Sequence, residues 1–592
     1  MKTRIQKGFS SFILHPSSLH LFLILAFCLP ALAPLTAPGY FSAAHDARHS
    51  IYFLQMFDLS VRDGAWFPRW AADMVFGYGY PLWVILAPLP FFLGEAFHLI
   101  GFDFVASVKI VDGLALFFSA LAMYLFAARA LANKNAALVA AIAYVYVPYH
   151  LVDLYVRAAQ AELVSFIFPP LIFWAFHRLA ETRAARDLAF AALAYAGLLL
   201  SHISMAVIFT PIIGLYLLFL LVQLTNYQLR FTNYVLRFTL YAGGAILLAL
   251  GIAAIFLLPV LFEQRYLKSD ALIGGFFDYR KHFLSVAQLF SPFWGYGYAG
   301  ENGNDQFSLQ LGLIPVMLAL GALWSLPRGR GAMRAHTIFF LLIVIAIVLA
   351  VLPIATPLWE MFAGVIAFVQ FPWRVLIVSA FALAFLAGAA INALDDARDR
   401  APALAVILLF VIAHYPYTQP QHNEARFNYA AQMDFEVRER ELLGDTIWLT
   451  GERPLDSPLV AQYRAGEKLT RAISLDAHAT VETIRYGGQS VEARVTARAP
   501  ARIQFYTRYF PGWRATLDDQ PLDIEPFGEQ GLILARVPAG SHAIKIRFED
   551  TPIRQIAAFV SGISVLIAGA LIATGRLKSR HATRKAKATF VA

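Results

Sequence analysis

Long apolar runs separated by short polar stretches set the pattern of this chain. Runs that could cross a membrane fall near 18–38, 104–130, 136–151, 161–178, 187–201, 203–223, 238–262, 308–326, 336–354, 372–393, 401–415 and 555–575. Several are short of the roughly 20 residues that a hydrocarbon core requires. Two further runs, 82–101 and 356–370, are interrupted by prolines or polar residues; the first holds Pro88, Pro90, Glu95 and His98. The pattern changes in 416–553, a polar segment long enough to be a domain. Its second half alternates apolar and polar positions around turn signals: 501–507, 513–517, the Asp518-Asp519-Gln520 turn, 531–537, Pro538-Ala539-Gly540 and 543–548. That rhythm predicts a β-sandwich closed by hairpins.

The basic residues decide which runs cross. With twelve spans and an inside start, one side receives Lys134, the Arg178/Arg183/Arg186 loop, Arg230 and Arg237, the Arg328/Arg330/Arg334 loop and the basic tail 576–587. Counting 82–101 as a span would put Lys134 and the Arg178 loop outside, against the positive-inside rule. Both interrupted runs are therefore expected to lie along the outer face or dip into it. The expected architecture is a polytopic α-helical membrane protein of about twelve transmembrane helices with a C-terminal extracytoplasmic β-sandwich-like domain. A membrane domain fills 1–415, with outer loops 39–81 and 263–307. The β-rich domain fills 416–553, and 554–592 supplies a last span and a cytoplasmic tail. Both termini face the cytoplasm, and the cytoplasmic membrane is the expected location.

Composition agrees. Of 592 residues, 59% are hydrophobic and 15% charged, with mean hydropathy +0.59, whereas a soluble chain carries about a quarter charged residues. The net charge of +9 follows from the inside loops and does not point to nucleic acid. The single cysteine, Cys28, excludes a disulfide framework or thiolate metal site. Lys2, Arg4, Lys7 and the small residues at Ala31-Leu32-Ala33 resemble a secretory signal; an uncleaved first span is expected, because the apolar run is long and more spans follow. No Walker loop, GxGxxG turn, GxSxG or HExxH is present.

The chemistry gathers around Tyr40–Tyr80, just after the first run. Asp46 stands there with His45, Arg48 and His49, and the amphipathic stretch Ile51–Trp70 could roof a pocket beside it. A carboxylate at the lipid–water boundary can serve as a general base or hold a divalent cation; a helix cap is the plainer role for it. Arg157 and Glu162 lie at the junction of two runs. They form either an internal ion pair or, through the guanidinium fork, a phosphate contact. Arg374, in Gln370-Phe-Pro-Trp-Arg374, opens a long run after a proline and suits a phosphate at a helix start, or an arginine reaching the interface. His202, between two runs, is a candidate supporting group, and Asp112 lies within the second run without an assigned role.

Four segments together resemble the GT-C membrane glycosyltransferases, and more narrowly the "6-pyruvoyl-tetrahydropterin synthase-related" membrane proteins. They are the acidic first outer loop, YGYPLWVILAPLPFFLG (78–94), YVPYHLVDLYVRAAQAE (146–162) and QFPWR (370–374). Residues 508–548 are similar to the outer β-domain of related large membrane proteins. The family label does not imply pterin chemistry. The resemblance implies a sugar moved from a polyprenyl-phosphate donor at the outer face, with the first-loop acid matching Asp46. Many members pair two acids there; here positions 44 and 45 are Ala44 and His45. That departure leaves a single base, or a metal site completed from elsewhere, with magnesium or manganese as the candidate cofactor.

Three functions are then in play. The first is inverting transfer to a glycan, lipid or protein acceptor. In it Asp46 handles the acceptor hydroxyl, Arg157 and Arg374 hold the departing phosphate, and His45, Glu162, His202 and Gln370 support them. The second is transport of a lipid-linked sugar by the same cationic pocket. The third is a non-catalytic envelope assembly role.

Overall fold

The computed structural model describes residues 16–41, 43–227, 233–268, 273–327, 331–392, 400–423, 427–439 and 445–589. Lys2, Arg4, Lys7, Arg230, Arg328 and Arg330 lie outside the described residues, as do the side chains of the tail beyond Gly575.

Each of the twelve runs forms helix. Among the described residues nine helices are long and apolar enough to cross a membrane, and ten if the bent pair Lys134–Tyr146 and Pro148–Arg157 is one span. The expected twelve therefore shrinks by this measure. Ala185–Ser201 has 17 residues and Leu313–Ser325 has 13, too short to span upright without thinning the bilayer. The bent pair breaks by 42° where Val147 precedes Pro148, a position that disfavours the helical region. The interrupted runs stay short, as Leu82–Ile85 with Leu89–Leu99 and as Thr356–Met361 with Ala363–Ile366.

Helices alternate direction, so their connections gather at two ends. One end carries Lys134, Arg178, Arg183, Arg186, Arg237 and Arg334; there Arg129 contacts Glu181, and Arg178 pairs with Asp187 at 2.8 Å. The other end carries the first loop, residues 273–307 and the β-rich region.

That region is two antiparallel sheets. One has five strands in the order Gln520–Leu522, Trp513–Leu517, Gly540–Phe548, Ser490–Ala497, Ala479–Tyr486. The other has four, Ile524–Phe527, Leu532–Val537, Ala501–Arg508, Ala472–Ser474. Ile544, Ile546 and Phe548 turn inward at every second position, the period of a half-buried strand. Asp518 and Asp519, both at positive φ, make the two-residue hairpin the sequence predicted.

Two apolar cores result. The bundle core takes Ile51 and Leu54 from the helix Ala47–Arg62, while the sandwich core takes Met56, Phe57, Trp70 and Phe76. The stretch 51–60 is thus a wedge buried between the cores rather than a roof at the interface, while Arg62, Gly64 and Trp66 further on are exposed. Short strands tie the ends together: Tyr40–Phe41 pairs with His422–Asn423, and Leu267–Lys268 pairs with Asp445–Thr446. At Gly512 (φ 118°) an added Cβ would lie 2.6 Å from Arg554, so glycine lets the sandwich close on the last helix.

Candidate functional site

The bend after Pro148 builds the site. Asp153–Arg157 forms a π-helical turn, a local widening common at functional sites, and Ala158 follows at φ 49°, left-handed for a residue with a Cβ. The last carbonyls of this buried turn receive the first loop. His45 N–H donates to Val156 O at 3.1 Å and Asp46 N–H to Arg157 O at 2.7 Å. The backbone of Asp46 is therefore held on Arg157.

Its side chain is not. Asp46 sits at the N-cap of Ala47–Arg62, where an aspartate usually folds back onto a free amide, yet it makes no capping hydrogen bond. It is half-buried, and among the described residues its carboxylate has no hydrogen-bond or ion-pair partner, although Arg157 and Arg374 lie within electrostatic range. The plainer role of a helix cap does not apply.

Behind Asp46 lies a buried charge network. Arg157 contacts Asp153, one helical turn back, and pairs with Glu162 at 2.8 Å. Glu162 also accepts from the Tyr149 hydroxyl at 2.7 Å and faces Arg374 Nε at 3.8 Å. Arg374 donates to Gln370 Oε1 at 2.8 Å and to Val369 O at 3.1 Å. Gln370 holds φ 65°, a second left-handed residue with a Cβ at the same site, and such conformations persist where the surroundings over-determine them. Trp373 lies under the Arg157 guanidinium at 4.9 Å. His202 is near enough to Glu162 to interact electrostatically.

The network is incompletely satisfied. Asp153 Oδ2, Arg374 Nε, His202 Nδ1 and Trp373 Nε1 are buried without a hydrogen-bond partner, while Glu162 Oε2 is held by Arg157. Buried polar atoms are normally paired, and a cluster of orphans beside an open carboxylate is the arrangement of a ligand site.

Residues 273–307 cover the corner. The His45 ring bonds Gly297 O at 2.8 Å through Nε2, stacks on Tyr298 at 4.8 Å and meets Phe307 edge-on at 5.3 Å. Phe307 continues to Trp373 at 5.4 Å, and Trp373 to Phe371 at 4.8 Å. Below, Asp112 accepts from Tyr40 at 2.9 Å and from Gln160 at 3.2 Å. Burial, and then Asp112 itself, pushes the Tyr40 phenol up, so it stays a donor. Asp112 thus holds the start of the first loop to the bundle.

The candidates Asp46, His45, Arg157, Glu162, His202, Gln370 and Arg374 come together from four separate segments. Sequence reasoning missed Asp153, Tyr149 and Trp373. Asp153 was findable, since four residues before Arg157 is the same helix face; the other two meet their partners only through the fold. Among the described residues no group of three or more His, Cys, Asp or Glu is placed to hold a metal, and the neighbouring carboxylates Asp153 and Glu162 both contact Arg157.

The chain is 24% identical over 227 residues to an uncharacterized protein of Lactococcus lactis subsp. cremoris, covering 38% of this chain and 36% of that one. Among solved structures it is similar to the arabinofuranosyltransferase AftD from Mycobacteria (TM-score 0.45, 13% identity, 90% of this chain and 40% of that one). It is also similar to the Archaeoglobus fulgidus oligosaccharyltransferase (TM-score 0.39, 15% identity, 71% and 58%). It therefore spans well under half the length of the first two of these proteins. Residues 85–419, over half the chain and including the charge network and its bend, match the model of the 6-pyruvoyl-tetrahydropterin synthase related domain of membrane proteins, and the chain belongs to that family.

Proposed function

We propose that this membrane protein transfers a sugar from a polyprenyl-phosphate donor to a hydroxyl of a glycan, lipid or protein acceptor, at the face opposite the basic loops. The observation that carries the reading is Asp46: a half-buried carboxylate that forgoes its helix cap and stands unpaired beside Arg157 and Arg374. In the proposed step the acceptor oxygen bonds the anomeric carbon from one side, and the bond from that carbon to the phosphate oxygen breaks on the other. The acceptor proton goes to Asp46, and the electron pair leaves with the polyprenyl phosphate.

The two arginines divide the electrostatic work unequally. Arg157 is already neutralised by Asp153 and Glu162, so it orders the network. Arg374 has only Glu162, at 3.8 Å, opposite its charge, so it meets the charge growing on the leaving phosphate, where a fixed cation lowers the barrier most. In this reading Asp46 acts as a single base. Residues 273–307 would exclude water while the donor is bound.

The test is release of polyprenyl phosphate from radiolabelled polyprenyl-phosphate sugars by the purified protein with a cell-envelope acceptor, with and without EDTA. Release that EDTA leaves unchanged is expected. Release abolished by EDTA would overturn the single-base mechanism. Intact donor moved across reconstituted vesicles without release would make the protein a transporter, and neither outcome with any donor would favour the assembly role.

A further inference from the structure

A second charged cleft lies away from Asp46, where the sandwich meets the ends of two bundle helices. It encloses about 420 Å³ between Phe262, Arg265 and Tyr266 on one side and Tyr509, Trp513 and Arg514 on the other. Its floor is closed electrostatically. Glu263 accepts from Thr551 at 2.6 Å and from Arg554 at 2.9 Å, and Arg554 also donates to Glu549 O and Pro511 O. That buried pair is satisfied and adds no net charge.

The rim differs. Arg265 and Arg514 are exposed, and among the described residues neither has a carboxylate within ion-pair distance. Arg265 donates only to the Tyr266 hydroxyl, at 2.8 Å, and lies over that ring. The cleft therefore carries two uncompensated cations beside aromatic rings.

Its depth identifies the ligand. The helix Ala254–Glu263 runs antiparallel to the last helix, tied by Ile255 N–H donating to Ser561 at 2.8 Å and by Glu263 to Arg554. Directly below the rim these two helices expose Leu261 (63%), Phe262 (52%), Ile556 (55%) and Phe559 (69%). Aromatic and basic residues above an exposed apolar helix face mark the level of lipid head groups, and arginine matches phosphate oxygens through its fork.

We infer that this cleft binds the phosphate of an anionic membrane lipid, with Arg265 and Arg514 on the head group and the acyl chains lying over Leu261, Phe262, Ile556 and Phe559. Such a lipid clamps the sandwich to the membrane at the last helix. The inference is independent of the transfer reaction.

The test is native mass spectrometry of the full chain in detergent, titrated with phosphatidylglycerol, phosphatidylcholine or inorganic phosphate. Arg265→Ala/Arg514→Ala is compared with wild type and with the exposed control pair Arg498→Ala/Arg536→Ala. Retained phosphatidylglycerol should fall about tenfold in the cleft variant and stay unchanged in the control. Equal retention by the cleft variant would overturn the inference. So would equal retention of phosphatidylcholine by wild type, because the cations would then not be what is read. Inorganic phosphate displacing the lipid at equal concentration would replace the lipid by a free anion.

Discussion

The two halves of the first loop treat buried charge in opposite ways. At 70–80 the loop plugs the sandwich. Val75 and Phe76 both stand at positive φ, 56° and 57°, unusual for any residue with a Cβ and more so for a β-branched one. Polar groups from four other segments hold it. Phe76 N–H donates to Glu436 at 2.8 Å, Ser457 donates to Phe76 O at 2.5 Å, and Arg508 N–H donates to Tyr78 O at 2.8 Å. Arg471 reaches Gly77 O, Asp73 and Tyr463, and Tyr463 also reaches Asp73. At 45–50 the loop is held as firmly by backbone bonds, yet the Asp46 carboxylate is left unpaired and orphaned polar atoms cluster behind it. Closure marks a structural joint; an open carboxylate on a rigid frame marks a place for chemistry.

That contrast can be broken at either half. The largest effect belongs to the closed one. Asp73→Ala leaves the Arg471 guanidinium buried without its carboxylate, which costs about 3–5 kcal/mol. Chemical denaturation should show that loss, and Asp73→Ala unfolding like wild type would mean the plug is not a joint. At the open half, Arg374→Lys keeps the charge but loses the fork. Transfer should slow about 10- to 100-fold with thermal stability almost unchanged; the reverse pattern would make Arg374 structural.

A smaller effect is pH-dependent. Burial pushes Glu436 from its ordinary 4.5 up to about 7, with hydrogen bonds from Phe76 and Gln432 and the charge of His49 opposing the shift and Asp73 adding to it. Because the folded state holds this proton more tightly, its contribution is complete below about pH 4.5 and is lost as pH rises through about 7. Melting temperature should drift down across that window in wild type, and Glu436→Gln should flatten the drift. An unchanged slope would show that Glu436 does not control the plug.

The elements were legible in the sequence because a membrane span and a hairpin are written locally. The helix Phe104–Ala130 and the Asp518-Asp519 turn fall where the pattern puts them. The residues that gather in the charge network were legible as candidates too, since ionisable groups entering apolar runs have few bland explanations. Their division of labour was not. Asp153 and Glu162 stand near Arg157 in the chain, but nothing there says that Arg374 shares Glu162 at longer range, because Arg374, Tyr149 and Trp373 meet that pair only in three dimensions. Nor does 51–70 show that its second apolar face belongs to a sandwich core more than 400 residues further along the chain; an amphipathic helix at an interface has the same pattern.

The measurement that bears most directly on the open half is the transfer rate of Asp46→Asn, in protein whose melting temperature matches wild type. The variant keeps the size and the backbone bonds to Arg157 and removes only the base. A fall of about 10²- to 10⁴-fold is expected. Full transfer activity in the folded variant would contradict the account and leave the unpaired carboxylate without a role.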